Sequence, residues 1–277
     1  MKTFTTRRQL REYLSARGNA TIGFVPTMGA LHNGHLSLIA QAKQGNDITV
    51  CSIFVNPTQF NDPKDLEKYP RPIEADMAKL EHAGCDVLFN PEVSEMYDTH
   101  EQWHLDIGQL EHLLEGEFRP GHYQGVMQIV YKLLDIVKPT SLYMGQKDYQ
   151  QFMVVSRMVE LMNIPVKMVM CPIEREADGL AMSSRNIHLT NQDRQHSLVL
   201  YRTLKWVKNN FNSSEIASLQ QQAMDKLTAE DGVEPEYFRI VDGKTLLPAT
   251  ENTPNIVALT AARVGKTRLI DNVLIKS

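Results

Sequence analysis

The stretch IGFVPTMGALHNGHLSLIAQAK, residues 22–43, decides the fold of this chain. It begins with a short apolar run, Ile22–Val25, that predicts a buried strand, and it ends with Leu36–Lys43, whose pattern predicts a helix. Two histidines, His32 and His35, lie at the turn between them. In a doubly wound sheet, backbone N–H groups and the helix dipole point toward anions at such a turn. The stretch therefore predicts a nucleotide-binding α/β fold.

The residue types in this turn suit a phosphate ligand. Gly29 and Gly34 allow the backbone to approach a ligand closely, and the imidazoles supply hydrogen-bond donors. For HxGH alone, a second interpretation stays open, in which the histidines only cap the helix or lie on the surface. A zinc site is disfavoured because no cluster of Cys, His, Asp or Glu stands nearby to complete the ligand set.

Composition restricts the classes of function. The chain has 277 residues, which suggests one large domain or two smaller ones, and 42% are hydrophobic, which is enough for a core. A net charge of −4 argues against general nucleic-acid binding. The N-terminal segment lacks the apolar region of a signal peptide and predicts an amphipathic helix with Leu10 and Leu14 on one face. No apolar run approaches the ~20 residues that span a bilayer, so we expect a cytoplasmic protein without membrane contact.

The cysteines predict no disulfide or metal site. Cys51, Cys85 and Cys171 each lie within or beside an apolar run, and they are widely spaced without a CxxC pattern. An odd number of such residues is typical of reduced thiols in a hydrophobic core.

Strand-like and helical patterns alternate up to about residue 172. Short apolar runs predict strands at Ile22–Pro26, Ile48–Val55, Asp86–Asn90, Ser141–Met144 and Val166–Met170. Helical spacing between them predicts helices at Ile73–Ala83, Val126–Val137 and Phe152–Met162. Such alternation implies a mostly parallel sheet with right-handed crossovers. We therefore predict a Rossmann-like, doubly wound α/β domain over residues 1–173.

The character of the sequence changes after about residue 173. Thr190 and Asp193 form a capping-box pattern that opens a helix through Val207, and a second helix is predicted over Glu215–Leu227. Three strand patterns follow, at Tyr237–Val241, Ile256–Leu259 and Arg268–Ile275. Residues 174–277 are therefore predicted to form a smaller α+β domain.

Five further segments carry polar residues that a core does not need. They are FVNPTQF (54–60), YPR (69–71), RPGHYQGV (119–126), GQKDYQQ (145–151) and READGLAMSSRN (175–186). Alone, each is a weak signal: Asn-Pro is a common turn, the 119–126 segment reads as a loop before a helix, and Lys147-Asp148 is also typical of a solvated pair. Asn56 and Gln59 nevertheless follow a strand at the ligand-binding edge of a parallel sheet. Lys147 offers a positive charge to phosphate, and Asp148 suits a ribose hydroxyl, Lys147 or magnesium.

In combination these segments resemble one family. HxGH with a distant MSSR loop resembles the HIGH and KMSKS signatures of the nucleotidyltransferase superfamily. PTMGALHNGH followed by the five segments, in this order and spacing, is similar to the pantothenate synthetase (pantoate–β-alanine ligase) family. The resemblance is dense over 22–189 and looser to ARVGKTRLIDN (261–272). Gln146 departs from it, because the family usually has Glu there, and so does Glu174, where a small apolar residue is common.

The resemblance implies an AMP-forming ligase of pantothenate biosynthesis, on the route to coenzyme A. ATP, with Mg²⁺, would activate pantoate as pantoyl adenylate, and β-alanine would then displace AMP. No serine or cysteine nucleophile with a base is evident, which agrees with catalysis by positioning and charge stabilisation. The resemblance also implies a homodimer, and a C-terminal domain that acts as a lid.

The family's site residues transfer to this chain as expectations. The catalytic set is His32, His35, Lys147, Ser183, Ser184 and Arg185, with His35 as proton donor. ATP contacts are expected from Met28, Gly29, Ala30, Leu31, His32, Asn33, Gly34, His35, Gly145, Gln146, Lys147, Asp148, Glu174, Met182, Ser183, Ser184 and Arg185. Pantoate and β-alanine contacts are expected from Met28, Gln59, Tyr69 and Gln151. No dedicated metal site is expected, since magnesium would ride on the phosphates, with Asp148 and Asp76 as the nearest candidate ligands.

Two rival interpretations remain. Another transferase of the superfamily would share HxGH but should lack RPGHYQGV and the paired glutamines. A non-catalytic nucleotide-binding protein should have lost the phosphate-contacting His, Lys or Ser residues. A tRNA synthetase is disfavoured by the short, acidic chain.

Overall fold

The computed structural model describes residues 1–61, 63–98 and 101–276. Two compact units emerge from the contacts within the chain. The first comprises Met1–Gly145 and Gln151–Pro172, and the second comprises Gln146–Gln150 and Ile173–Ser277. The segment Gln146–Gln150 therefore packs with the C-terminal part of the chain. Whether these units are the two predicted domains, and whether the second is a lid, stays a prediction.

The first unit is built on a parallel sheet of six strands in the order β1-β4-β3-β2-β5-β6. The strands are β1 Lys2–Phe4, β2 Ile22–Thr27, β3 Ile48–Ile53, β4 Val87–Phe89, β5 Ser141–Gly145 and β6 Lys167–Cys171. From β2 the chain moves outward through β3 and β4, and it then returns to place β5 on the other side of β2. The crevice at such a reversal, outside the carboxyl ends of the strands, is where doubly wound sheets bind ligands.

Helices cover this sheet and supply much of its core. They are α1 Arg7–Ser15, α2 Asn33–Gly45, α3 Pro63–Lys68, α4 Ile73–His82, α5 Val93–Met96, α6 Glu115–Phe118, α7 His122–Val137 and α8 Tyr149–Leu161. The most buried of them is α7, since twelve of its residues are buried, as expected for a helix packed along the sheet. A short 3₁₀ helix, Pro57–Gln59, follows β3.

The second unit pairs two helices with an antiparallel sheet. Helices α9 (Asn191–Asn209) and α10 (Ile216–Thr228) precede strands β7 (Val233–Asp242), β8 (Ile256–Val264) and β9 (Thr267–Lys276). Its hydrophobic core is a separate cluster made by the inner faces of these elements. The fold class predicted from the sequence is confirmed by both sheets.

The capping box that the sequence predicts at the start of α9 is present. Thr190 Oγ1 accepts a hydrogen bond from Asp193 N at 3.1 Å, and Asp193 Oδ2 accepts from Thr190 N at 3.3 Å. The cysteines are also as predicted, because all three are free and buried. Burial raises the pKa of Cys85 and of Cys171 to about 11, so both are thiols at neutral pH. Within the described ranges, no helix is both long enough and apolar enough to cross a membrane.

Several elements differ from the sequence predictions; among them, β7 begins four residues earlier and β8 ends five residues later than predicted. Strand β1 was not predicted, because three residues are too few to show a period. Helix α2 begins at Asn33, so His35 lies in its first turn rather than ahead of it. Helix α7 begins at His122, not at Val126, so most of the segment expected to be a loop is helical.

Candidate active site

The two histidines are packed together at the start of α2. His32 precedes the helix with an extended backbone, and its N–H donates to His35 Nδ1 at 3.3 Å. The ring centroids lie 4.1 Å apart. Because Nδ1 of His35 accepts a hydrogen bond, the neutral ring carries its proton at Nε2. The sequence thus presents a donor imidazole at a helix N-terminus, where anions are stabilised.

Asp76, from α4, holds the turn that leads into these histidines. Its carboxylate accepts hydrogen bonds from Ala30 N at 2.7 Å and from Leu31 N at 2.8 Å, and the residue is 1% exposed. Gly29 and Ala30 both have positive φ angles, of 82° and 51°. A Cβ on Gly29 would lie 3.1 Å from Asp76 Oδ2, so the turn requires glycine for both its conformation and its packing.

Lys79, one helical turn after Asp76, contacts the same turn. Its ammonium donates to Leu31 O at 2.6 Å and lies 4.0 Å from Asp76 Oδ1. Helix α4 therefore supplies a negative group to two backbone N–H groups and a positive group to a carbonyl. Asp76 therefore anchors the backbone of this turn, while its candidacy as a magnesium ligand stays a prediction.

A second polar group forms where β3 ends. Gln59 is buried, and its Nε2 lies 3.0 Å from Met28 Sδ, which brings together two residues predicted to contact pantoate. Its Oε1 accepts from Asn56 Nδ2 at 3.1 Å. Asn56 Nδ2 also donates to Gly125 O at 3.0 Å. A Cβ on Gly125 would lie only 2.4 Å from Thr58 O, so glycine lets α7 approach the backbone beside Gln59.

His122 explains the polar start of α7. This residue is buried, and its Nδ1 lies 2.7 Å from Gln59 O, within hydrogen-bond distance. The RPGHYQGV segment was expected to be a loop before a helix. Its histidine and second glycine support the Gln59 turn, since one supplies a polar partner for Gln59 O and the other allows the close approach of α7.

The Lys147 turn belongs to the second unit and directly follows β5. Its backbone is held by Asn272 of β9, whose Nδ2 donates to Gln146 O and to Lys147 O, each at 2.9 Å. Asn272 Oδ1 accepts from Gln146 Nε2 at 3.0 Å. At position 146, where the family usually has Glu, this chain therefore has an amide that pairs with the amide of Asn272. Lys147 Nζ lies 3.9 Å from Asp148 Oδ1 and is mostly buried, whereas Asp148 is half-exposed.

The loop from Glu174 to Arg185 is anchored in the same unit. Arg175 forms a bidentate ion pair with buried Asp271 at 2.7 and 2.9 Å. Glu174 O accepts from Met182 N at 3.0 Å, which sets the Ser183 region at the end of a two-stranded turn. Ser183 Oγ accepts from Arg185 N at 3.3 Å and caps a 3₁₀ helix over Ser184–His188.

The remaining residues predicted for the site lie on several different elements. Tyr69 packs edge-on against Phe60, with ring centroids 5.8 Å apart. Gln151 lies in α8 of the first unit and is partly exposed. Asn33 and Gly34 open α2, and Gly145 ends β5 with room for a side chain, since a Cβ there meets no atom within 4 Å.

Sequence reasoning missed the groups that support these turns. Asp76 was considered only as a metal ligand, and Asn272 only as part of a loosely matching segment. Their partners are backbone groups far away in sequence, so no local spacing could reveal them. The available signal was that Asn272 is a polar residue inside an otherwise apolar strand pattern and that Asp76 falls on the apolar face of its helix.

The fold and this site define a class. A parallel doubly wound sheet with HxGH after its central strand, and a lysine turn after the neighbouring strand, is the arrangement of an α/β nucleotide-binding enzyme. A family profile described as Pantoate-beta-alanine ligase matches residues 2–274. The chain therefore belongs to the pantoate–β-alanine ligase family.

Relatives of this chain carry the same family name. A pantothenate synthetase of Thermotoga neapolitana is 47% identical over 257 residues, which cover 92% of each chain. One of Thermotoga petrophila is 44% identical over 99% of this chain and 100% of its own. A crystal structure of pantothenate synthetase from Thermus thermophilus superposes with a TM-score of 0.93 at 40% identity, covering 100% of both chains.

One relative has been solved with ligands. The structure of pantoate-beta-alanine ligase from Francisella tularensis, "Complexed with Beta-gamma ATP and Beta-alanine", has a TM-score of 0.82 and 36% identity, and the match covers 100% of this chain and 98% of that one. The chain thus matches these enzymes over essentially their whole length.

Proposed function

We propose that this protein condenses pantoate with β-alanine, consuming ATP and releasing AMP and pyrophosphate. Pantoate carboxylate attacks the α-phosphorus, the bond from that phosphorus to the bridging oxygen of pyrophosphate breaks, and pantoyl adenylate forms. The β-alanine amine then attacks the acyl carbon, AMP leaves with the bridging oxygen, and the amine loses a proton. Family membership over residues 2–274 is the observation that carries the proposal.

The turn that carries His32 and His35, here called the histidine turn, is proposed to bind the ATP phosphates. The Nδ1 of His35 accepts a backbone hydrogen bond, which leaves Nε2 as the donor that meets developing negative charge. His32 and the N–H groups at the start of α2 supply further positive potential. The two hydrogen bonds to Asp76 support this role, because they fix the backbone of the preceding turn.

Lys147, Ser183, Ser184 and Arg185 are proposed to stabilise pyrophosphate as it leaves. Lys147 is a point charge on a turn held by Asn272, and Arg185 provides a planar guanidinium on an exposed loop. The backbone at Gly145 and Glu174, with Asp148, is proposed to hold the adenosine. Because the reaction needs charge stabilisation and positioning, these groups suffice without a protein nucleophile.

Pantoate is proposed to lie against Met28 and Gln59, with Gln151 as a further hydrogen-bond partner. The Gln59–Met28 contact supports this, since it places an amide donor beside an apolar thioether. A dimethyl-substituted hydroxy acid needs both kinds of contact. Tyr69 is proposed to shield the adenylate from water, which would hydrolyse it.

Magnesium is proposed to enter as part of the MgATP substrate. The described residues contain no group of three His, Cys, Asp or Glu that could hold a metal ion, and Asp148 offers one half-exposed carboxylate on the Lys147 turn. A carboxylate plus phosphate oxygens is a donor set that suits Mg²⁺, which would neutralise phosphate charge when bound. We further propose a cytoplasmic homodimer on the route to coenzyme A, by resemblance alone.

Isotope transfer tests the proposed intermediate directly. Pantoate labelled with ¹⁸O in its carboxylate is incubated with protein, MgATP and β-alanine, and the products are analysed by mass spectrometry. We expect one ¹⁸O in AMP and one in the amide carbonyl of pantothenate. Unlabelled AMP, or label in phosphate with ADP as the co-product, would contradict the proposal. A product that retains the nucleotide would favour the rival transferase of the same superfamily.

A further inference from the structure

Tyr97 stands at the end of a chain of hydrogen bonds that reaches Gln59. Its hydroxyl donates to Asn56 Oδ1 at 2.6 Å and lies 3.3 Å from Thr58 Oγ1. Thr58 Oγ1 also donates to Asn56 Oδ1, at 3.2 Å. Nothing in the sequence patterns singled out Tyr97, which follows the short helix α5.

Asn56 can satisfy its neighbours in only one amide orientation. Its Oδ1 receives the Tyr97 and Thr58 hydroxyls, while its Nδ2 donates to Gln59 Oε1 and Gly125 O. Rotating this amide by 180° would set Nδ2 against two hydroxyls and Oδ1 against two acceptors. Asn56 is 1% exposed, so water cannot compensate for the mismatch.

The orientation of Asn56 determines that of Gln59. Because Asn56 presents an N–H₂ group, Gln59 must turn its Oε1 toward it, and its Nε2 then points to the Met28 side. Met28 and Gln59 are the residues proposed above to contact pantoate. The hydroxyl of Tyr97, with Thr58 and the Gly125 carbonyl, thereby sets whether Gln59 offers a donor or an acceptor to that substrate.

The surroundings keep Tyr97 a protonated donor. Burial, with a smaller contribution from the charge of Glu101, raises its pKa to about 12 and outweighs the lowering by its hydrogen bonds with Thr58 and Asn56. Lys132 lies over the Tyr97 ring, 5.2 Å from the centroid, and its ammonium is paired with Glu101 at 2.6 Å. Phe54 also packs against Tyr97, with ring centroids 6.3 Å apart.

We propose that Tyr97 is a positioning residue for substrate recognition, acting through Asn56 to hold the Gln59 amide with its nitrogen toward pantoate. The inference rests on the proposed function, and it adds a residue with no predicted role. Tyr97 contacts no substrate in this account. It contributes to specificity by helping to fix which end of one amide faces the ligand.

Tyr97→Phe tests the proposal, because it removes one oxygen and keeps the ring. Calorimetry would measure pantoate Kd in the presence of a non-hydrolysable ATP analogue, and steady-state AMP release would give KM and kcat. We expect the Kd and KM for pantoate to rise about 3- to 10-fold, as for a lost hydrogen bond, with KM for ATP within about twofold of wild type. Tyr131→Phe is the matched control, since Tyr131 packs on the same core cluster and its ring contacts that of Trp103. It should leave all constants unchanged.

A double-mutant cycle separates positioning from general destabilisation. Gln59→Glu keeps the acceptor for Asn56 and replaces the donor toward pantoate, so it should weaken pantoate binding strongly. If Tyr97 acts through Gln59, then Tyr97→Phe should add less than about twofold in the Gln59→Glu background. The full effect of Tyr97→Phe in that background would overturn the relay.

The outcomes distinguish this inference from the proposed function. If the wild-type protein binds no pantoate, the proposed function is overturned and the relay falls with it. If wild type binds pantoate and Tyr97→Phe binds it equally well, only the relay is overturned. Thr58→Val removes the second donor to the same oxygen, so it provides an independent variant, and a combined Tyr97→Phe/Thr58→Val protein should bind more weakly than either single variant.

Discussion

The histidine turn and the lysine turn are held by different chemistry. The histidine turn is held by charged groups from a helix of its own unit: Asp76 accepts two backbone N–H groups, and Lys79 donates to a carbonyl. The lysine turn is held by a neutral amide, Asn272, which is 125 residues from Lys147 in sequence. Asp76 and Asn272 are each 1% exposed.

The difference indicates how sensitive each turn should be to change. A buried carboxylate that accepts two N–H groups forms charge-assisted hydrogen bonds, which are about twice as strong as neutral ones. A buried amide forms several weaker hydrogen bonds, so the turn that it supports does not depend on any single one of them. We therefore expect the loss of Asp76 to disturb the turn that carries His35 more than the loss of Asn272 disturbs the turn that carries Lys147.

The largest effects on the rate of adenylate formation should come from His35 and Lys147, the side chains that the two turns carry. His35→Ala and Lys147→Ala should each lower the rate of adenylate formation about 10²- to 10³-fold, as for other removed transition-state donors. Exposed residues of the same types, His82 and Lys244, provide the controls, whose alanine variants should retain wild-type rates. Rapid-quench measurement of the first turnover checks this. If only one of the two variants slowed, the turns would not serve the same step.

Asp76→Asn should have the next largest effect. It replaces one acceptor by a donor, so an N–H of Ala30 or Leu31 loses its partner, at a cost of about 1–3 kcal/mol. We expect the rate of adenylate formation to fall ten- to a hundredfold and the free energy of unfolding to drop in urea titrations. Glu74→Gln, on the exposed side of the same helix, should change neither. A normal rate in Asp76→Asn would refute the positioning role of this carboxylate.

Asn272→Asp should have a smaller effect on the same rate. The carboxylate still accepts from Gln146 Nε2, but the two bonds to the Gln146 and Lys147 carbonyls are lost. Each neutral hydrogen bond contributes about 0.5–1 kcal/mol, so losing two should lower the rate of adenylate formation at subsaturating ATP by about 5- to 30-fold, chiefly through the KM for ATP. Asn252→Asp, at an exposed position of the same unit, is the control. A larger loss than in Asp76→Asn would reverse the ranking of the two supports.

The smallest predicted effect is on thermal stability, and it concerns the loop that carries Ser183. Arg194 donates to Glu176 at 2.8 Å and to Asp178 at 2.7 Å. The contact with Arg194 is the main cause that lowers the pKa of Glu176. At Asp178 burial opposes ionisation, but the Leu180 N–H and Arg194 together outweigh it and lower the pKa. Lowered native pKa values add stability above the unfolded values of 4.5 and 3.8, and this stability is lost as pH falls through the native values.

Thermal melting against pH checks this account of Arg194. Because the pairs are partly exposed, Arg194→Gln should lower Tm by only a few degrees at neutral pH. The difference from wild type should begin to shrink as the pH falls below the unfolded values of 4.5 and 3.8, and it should vanish below the lower native values, where both carboxylates are protonated. Arg202→Gln, on the same helix, should show no such convergence. A difference that does not change with pH throughout acid titration would mean that the carboxylates contribute nothing.

The sequence predicted the strands and helices better than it predicted the side chains that hold the turns of the site, for a physical reason. Periodicity shows which face of a segment is buried, so the strands β2–β6 and the helices α4, α8, α9 and α10 were predicted within a few residues. The start of α7 was placed four residues late, because His122 looked like a loop residue, although it is buried against Gln59 O. Asp76 and Tyr97 act on partners distant in sequence, and no local pattern records such contacts.

The site itself was predicted only as a list of residues. Motif order suggested His32, His35, Gln59 and Lys147, but not how each is oriented. The tautomer of His35 follows from one backbone N–H, and the amide of Gln59 follows from Asn56. These are properties of three-dimensional hydrogen bonding, so they required the folded chain.

Pantoate-dependent exchange of radiolabelled pyrophosphate into ATP, without β-alanine, would show whether pantoyl adenylate forms and how strongly its formation depends on the supports of the two turns. It would be measured in wild type, Asp76→Asn, Asn272→Asp and the double variant. We predict exchange only when pantoate is present, a slower rate in Asp76→Asn than in Asn272→Asp, and a double variant whose loss is the product of the single losses, since the sites share no partner. Wild-type exchange without pantoate, or wild-type rates in both single variants, would contradict the account.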